Sequence, residues 1–369
     1  MKPISWRELF QAQKRLYPRA ALQDLLKALH QSYLGCGHFT APAGEGIALL
    51  RREWEAEPNA AREAEPPTVE PLAGGFSRCH LQGLTLSPET LQRLFSLSSL
   101  IRTDREEAYM AALTEINKDI ANGLYPASEK DRAFLAAYLP EAPRMLRHSA
   151  AFRAAYTPAY RVLSDEAAQY LPLFTAIDRR LSDRDRLLIA LEGGSASGKT
   201  RLAALLTAVY GGDVVHMDDF FLRPEQRTPE RYREPGGNVD RERFAAEVLP
   251  ALKKGLPFSY RRFDCGRMAL ADSVSIRPGR LTVVEGAYST HLSFGDPYDL
   301  TVFLSIDPAT QQDRLRKRNG ENGLRNFLDR WIPLEEAYFS ATDIFARCDL
   351  TLATRETETR LLLPEETSV

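Results

Sequence analysis

Eight consecutive residues, Gly193-Gly194-Ser195-Ala196-Ser197-Gly198-Lys199-Thr200, carry the strongest chemical signal in the sequence. They fit the pattern G-x-x-x-x-G-K-[ST]. An apolar run at 187–191 precedes them and a helical stretch follows, which is the strand–loop–helix setting this pattern requires. Glycines let backbone N–H groups turn inward around phosphate oxygens, and the N-terminus of the next helix adds partial positive charge. Lys199 is expected to neutralise the β- and γ-phosphates, and Thr200 to place its hydroxyl on Mg²⁺. The implied ligand is ATP with magnesium.

The loop alone does not separate a kinase from a mechanical ATPase or a nucleotide switch; the following segments bear on that choice. His216-Met217-Asp218-Asp219-Phe220-Phe221 puts a carboxylate at the carboxyl end of the next strand, where it can accept the proton of an acceptor hydroxyl. Asp218 directly follows the strand and is the favoured base, with Asp219 the alternative; a helix cap or solvated turn is the structural reading of the pair. A polar loop with Arg223, Arg227, Arg231 and Arg233 leads to Pro235-Gly236-Gly237-Asn238-Val239-Asp240, where Asp240 would cap the next helix. Val283-Val284-Glu285-Gly286 ends another apolar strand on an acidic residue, a position suited to Mg²⁺ or its water. Arg314, Arg316, Lys317, Arg318 and Arg325 bracket Asn319-Gly320-Glu321-Asn322-Gly323. This reads as a mobile flap whose arginines close over a transferring phosphoryl group, some of them being only a solvated helix face.

These residues need a frame. Short apolar runs at 187–191, 214–217, 281–284, 300–305 and 350–353 alternate with helical stretches at 199–209, 241–253, 308–318 and 328–346. That alternation predicts an α/β fold, a P-loop NTPase-type, mainly parallel sheet flanked by helices, with ligands at the carboxyl ends of the strands. The first 160 residues predict a mainly helical domain. Leu22, Leu25, Leu26 and Leu29 repeat at helical spacing, as do Tyr109, Leu113, Ile116 and Ile120 behind a capping box of Thr103 and Glu106. Residues 55–71, rich in Glu, Ala and Pro, read as an exposed loop, and 156–163 as a domain junction. The expected division is 1–160, a linker helix at 161–184, and 185–369, as suits 369 residues at about 150 per domain.

In the order in which they occur, GGSASGKT, MDDFF, PGGNVDRERF, VVEGAYS and the Arg-rich flap resemble the uridine kinase and phosphoribulokinase-like P-loop kinases over roughly 185–355. The resemblance implies that Asp218 is the catalytic base, that Asp240 holds substrate hydroxyls, and that Glu285 is the Mg²⁺-associated glutamate. It places Arg314 and Arg318 in a phosphate-touching lid. Where uridine kinases set an aromatic–Asp–aromatic segment and a nearby His against the base, this chain has Tyr260-Arg261-Arg262-Phe263-Asp264-Cys265-Gly266-Arg267. Tyr260 or Phe263 matches the aromatic, with Arg267 a further substrate contact, and no His follows closely. The acceptor is therefore a nucleoside-like molecule or another small alcohol. An ATP-binding regulator without kinase activity is the alternative.

Composition sets the outer bounds. With 44% apolar and 27% charged residues and a net charge of −2, the chain is a globular protein without the basic excess of a nucleic-acid binder or a membrane-surface protein. No stretch approaches the length of a membrane span and no signal core opens the sequence, so a cytoplasmic location is expected. Self-association is left open. The four widely spaced cysteines read as reduced thiols. Cys36 with His38 and Cys79 with His80 are zinc-like ligand types at unsuitable spacing, so buried thiols and core histidines are the expectation.

Overall fold

The computed structural model describes residues 5–35, 43–56, 67–101 and 103–363. The chain forms two compact units, Met1–Thr175 with Glu356–Leu362, and Ala176–Arg355 with Leu363–Val369. No helix among the described residues is long and apolar enough to cross a membrane.

The first unit contains helices α1 (Trp6–Leu16), α2 (Leu22–Leu34) and α3 (Ala43–Glu55), then strands β1 (Val69–Pro71) and β2 (Phe76–His80). Helices α4 (Pro88–Ser99), α5 (Glu106–Ala121), α6 (Glu129–Tyr138) and α7 (Ala150–Tyr156) follow, then β3 (Tyr160–Ser164), α8 (Asp165–Ala168) and the start of α9 (Leu171–Leu181), which belongs to the second unit from Ala176 on. The leucines of α2 and Tyr109, Leu113, Ile116 and Ile120 of α5 share one core with Trp6, Phe10 and Tyr138. The Thr103–Glu106 capping box does not form. Arg105 is the N-cap residue, and the Thr103 hydroxyl donates instead to the Tyr33 carbonyl at 2.7 Å. The 156–163 stretch is no plain junction either, because β3 pairs antiparallel with β2, which pairs antiparallel with β1. Of the expected 55–71 loop, residues 69–71 are strand and 57–66 lie outside the described residues.

This small sheet carries buried charge. Glu70 accepts from Gln13 Nε2 (2.7 Å) and Arg78 Nη1 (3.0 Å) on one oxygen, and from Tyr17 (2.6 Å) and His80 Nε2 (2.8 Å) on the other. Burial works against the Glu70 charge, yet Arg78 and these hydrogen bonds hold its pKa down at about 2.

In the second unit the sheet order is β10-β9-β4-β8-β5, with every pairing parallel. Its strands are β4 (Leu187–Gly193), β5 (Gly212–His216), β8 (Leu281–Glu285), β9 (Leu300–Ser305) and β10 (Leu350–Ala353). Every residue of β4 and β8 is buried, which is why both read as mainly apolar runs. Helix α10 (Lys199–Tyr210) follows β4, and the short α11 (Pro229–Arg233) lies between β5 and α12. The stretch expected as one helix at 241–253 is α12 (Arg241–Glu247) and α13 (Leu249–Lys254), broken at Val248 with Pro250 in the next first turn. An antiparallel hairpin, β6 (Phe258–Asp264) and β7 (Ala269–Ile276), was not anticipated. The flap segment 319–323 is helical, part of α14 (Pro308–Asn326), in which Gly320 alone has non-helical backbone angles. A π-turn at 327–331 leads to α15 (Ile332–Thr342) and α16 (Ile344–Arg347).

Glu70→Ala strands the fully buried Arg78 charge, and the expected loss is about 3–5 kcal/mol. Chemical denaturation of the full chain should show this as a lower midpoint for the transition that unfolds the first unit. Acid acts the same way. A carboxylate pKa depressed in the fold stabilises above its ordinary value near 4.5, and that contribution fades as pH falls toward 2.

Candidate active site

The 193–200 loop leaves the central strand β4 and enters α10, at the carboxyl edge of the sheet. Gly193, at φ 142°, has no room for a side chain, since a Cβ would lie 2.5 Å from the Leu304 carbonyl oxygen. Ala196 (φ 60°) and Gly198 (φ 97°) also take left-handed backbone, so successive N–H groups curl around one concavity. Lys199 is 9% exposed and its Nζ donates to the Gly194 carbonyl at 2.9 Å. From outside, Gln311 donates to the Ser195 carbonyl (2.8 Å), Arg314 to that of Ala196 (3.1 Å), and Thr354 to that of Ser197 (2.8 Å).

Two buried carboxylates hold this loop, and neither was singled out from the sequence. Glu192, the penultimate residue of β4, has no exposure. It accepts the N–H groups of Gly193 (3.1 Å), Tyr288 (3.0 Å) and Thr290 (3.1 Å) and the Tyr338 hydroxyl (3.3 Å). Burial raises its pKa to about 6 against the pull of those donors and Lys199. Glu335, on α15, accepts the Ser195 N–H at 2.9 Å and the Ser195 hydroxyl. Burial raises its pKa too, Lys199 and Ser195 opposing. Glu192 adjoins the motif and ends a strand, the same signal that marked Glu285. Glu335 lies 140 residues from the serine it binds, and no local pattern marks it.

At the ends of β5 and β8, Glu285 Oε1 accepts the Thr200 hydroxyl (3.0 Å) and faces His216 Nδ1 (2.6 Å). Burial opposes its charge, but His216, Lys199 and Thr200 bring its pKa below the usual range. Asp218 makes no hydrogen bond or ion pair among the described residues. Crowding by the surrounding protein and the Glu285 charge raise its pKa, while Lys199 and His216 pull it back. Asp219 differs, since its Oδ2 accepts the Tyr260 hydroxyl at 2.8 Å.

The remaining sequence candidates divide. Asp240 is the N-cap of α12 through Oδ1, which accepts the Arg243 N–H (3.2 Å). Its buried Oδ2 has no hydrogen-bond partner among the described residues and lies 3.6 Å from Arg223 and 3.7 Å from Arg243. Phe263 is buried beneath the Arg227 guanidinium, 5.6 Å above its ring. Arg267 sits in the hairpin turn with its side chain 80% exposed, 3.8 Å from Asp264. Arg314 reaches the loop; Arg318 instead donates to Asn319 and lies over Phe327.

The oxygens of Thr200 and Glu285 fit a hard cation such as Mg²⁺, which takes few protein ligands and completes its shell with phosphates and water. Among the described residues no cluster of three or more His, Cys, Asp and Glu is arranged to hold a metal. Cys36 and His38 lie outside the described residues. Cys79 and His80 are adjacent on β2 and so point to opposite faces. Burial pushes the Cys79 thiol up to about 12, and His80 is engaged by Glu70.

No model of a known protein family matches the sequence, and no curated protein matches it. Solved structures do match the C-terminal half. A candidate uridine kinase from Bacillus stearothermophilus is 19% identical, with 48% of this chain and 95% of that one covered and a TM-score of 0.38. A candidate fructose transport system kinase from Silicibacter sp. TM1040 is 24% identical over 49% of this chain and 97% of that one, TM-score 0.40. Shikimate kinase from Acinetobacter baumannii is 17% identical over 48% and 89%, TM-score 0.26.

Glu192 yields a pH signature. An acid whose folded pKa is raised binds more protons in the native state, so its contribution is full below about 4.5 and is lost as pH rises to about 6. The stability difference between wild type and Glu192→Gln should therefore change between those values and stay flat above them, as read from denaturation midpoints across pH.

Proposed function

We propose that the second unit is an ATP-dependent, Mg²⁺-requiring phosphotransferase that acts on a hydroxyl of a small molecule, nucleoside-like or another small alcohol. One observation carries this reading. An unpartnered carboxylate of raised pKa, Asp218, shares its electrostatic neighbourhood with the phosphate-loop lysine and the Thr200–Glu285 pair.

The loop N–H groups and Lys199 would bind the triphosphate, with phosphate oxygens competing with Glu335 for the Ser195 N–H. Thr200 and Glu285 would hold the metal, whose charge, when bound, offsets that of the phosphates. Asp218 accepts the acceptor proton as the hydroxyl oxygen attacks the γ-phosphorus and ADP leaves. Asp219 is less suited, because Tyr260 already occupies it. Oδ2 of Asp240, buried between Arg223 and Arg243 without a hydrogen-bond partner among the described residues, would accept a second substrate hydroxyl once uncovered. Arg314, which reaches the loop at the Ala196 carbonyl, would be the lid arginine that meets the phosphates; Arg318 would have to leave Asn319 and Phe327 to do so.

ATP consumption by the full chain should be stimulated by one member of a panel of nucleosides, pantothenate and sugars. Asp218→Asn should keep ATP affinity and lose transfer by about 10²–10⁴-fold, the usual worth of a positioned base. Near-normal transfer in that variant removes Asp218 as the base. ATP binding that no acceptor stimulates favours a nucleotide-dependent regulator.

A further inference from the structure

Unmet hydrogen bonds in the second unit are concentrated in one place. Five of its buried side-chain polar atoms have no partner among the described residues: Ser197 Oγ, Asn238 Oδ1, Asp240 Oδ2, Arg243 Nε and Tyr288 Oη. Buried polar atoms are almost always paired, so each exception calls for a cause. All five fall in the segments that leave the carboxyl ends of β4, β5 and β8. Ser197 belongs to the phosphate loop, and Asp240 and Arg243 face each other at 3.7 Å. Tyr288 and Asn238 remain.

Both are held firmly. Tyr288 has left-handed backbone (φ 77°), which a residue other than glycine adopts at a cost in free energy and most often at functional sites. Its N–H is fixed by Glu192 at 3.0 Å, and its ring packs on Tyr338 with centroids 4.8 Å apart. Asn238 lies between two carbonyls that one guanidinium holds, since Arg231 donates to Gly237 (2.7 Å) and to Val239 (3.0 Å). The Asn238 side chain approaches the Tyr288 hydroxyl outside hydrogen-bond geometry. Burial and the charges of Glu335, Glu192 and Asp218 raise the Tyr288 pKa, with Asn238 opposing. The phenol therefore keeps its proton, within electrostatic reach of Asp218.

The pair offers one donor, the Tyr288 O–H, and one acceptor, Asn238 Oδ1. An alcohol hydroxyl answers both, because it accepts one hydrogen bond and donates another. An ionised carboxylate has no proton for Asn238, and an ammonium group has no lone pair for Tyr288.

We infer that Tyr288 and Asn238 are specificity-determining residues of the phosphotransferase site, and that the acceptor is a polyol. Once uncovered, they bind one hydroxyl of the acceptor other than the one phosphorylated, Tyr288 donating and Asn238 accepting. This rests on the phosphotransferase reading of the second unit.

The test uses the full-length protein and Tyr288→Phe, which removes one oxygen and keeps the ring against Tyr338. Acceptor-stimulated ATP consumption is measured with uridine, ribose and glucose, each beside its 2-deoxy analogue. The wild type is expected to prefer a polyol over its deoxy analogue by at least tenfold in kcat/KM, and Tyr288→Phe to lose that preference through a higher KM for the polyol. A preference that survives in Tyr288→Phe overturns the assignment and leaves the phosphotransferase reading standing. Absence of stimulation by any acceptor in the wild type overturns both. Thermal unfolding without substrates gives a readout independent of turnover. Removing a buried hydroxyl that has no partner leaves the melting temperature unchanged or higher, whereas removing one bonded within the protein lowers it by about 2–4 °C. A fall of that size in Tyr288→Phe overturns the proposal.

Discussion

The carboxylate of Glu192 is the point on which the carboxyl edge of the large sheet depends. It ends the central strand with no exposure, and it gathers N–H groups from the phosphate loop and from the segment after β8, together with the Tyr338 hydroxyl of α15. Burying such a charge costs several kcal/mol unless donors compensate, so these donors are held where the carboxylate needs them. The phosphate loop therefore starts from a fixed point that also fixes α15. That helix places Glu335 on Ser195, closing a circuit of contacts from strand to loop to helix and back to strand.

Within this frame, environment sorts acidic residues that look alike in the sequence. Glu285 has a hydroxyl and an imidazole on one oxygen, and His216, Lys199 and Thr200 bring its pKa below the usual range, as the metal ligand proposed for it requires. Asp218 has no hydrogen bond or ion pair among the described residues, and burial together with Glu285 pushes its pKa upward, as suits the proton acceptor proposed. Asp219, one residue on, is tied to Tyr260. Carboxylates whose environments drive their pKa values apart are how one site separates proton chemistry from metal binding.

What the sequence made legible follows from how locally each feature is determined. Strands β9 and β10 coincide with their apolar runs, and β4 and β8 read clearly because all their residues are buried. The phosphate loop is local by construction, since its glycines answer to backbone angles. The β6–β7 hairpin was hidden because its strands leave many polar residues exposed and give no apolar run. Thr103 was misread because a backbone carbonyl in α2, 70 residues away, competes for its hydroxyl. Asn and Gly at 319–323 suggested a loop, yet only Gly320 departs from helical geometry. Glu335 was invisible because its role depends on a contact between distant segments.

The two units use buried charge in different ways. Around Glu192 backbone N–H groups and side-chain hydroxyls share the carboxylate, which therefore clamps main chain as well as side chains. Around Glu70 every donor is a side chain, drawn from α1, β2 and the Tyr17 segment beyond α1. Such a network fixes the orientation of rings and guanidinium. Stability alone gives no reason for that choice, since an apolar core of the same shape suffices. Orientation does give a reason, because an imidazole with one nitrogen bound to a carboxylate and the other open has a defined tautomer and direction. The first unit therefore fixes the direction of the His80 ring through Glu70.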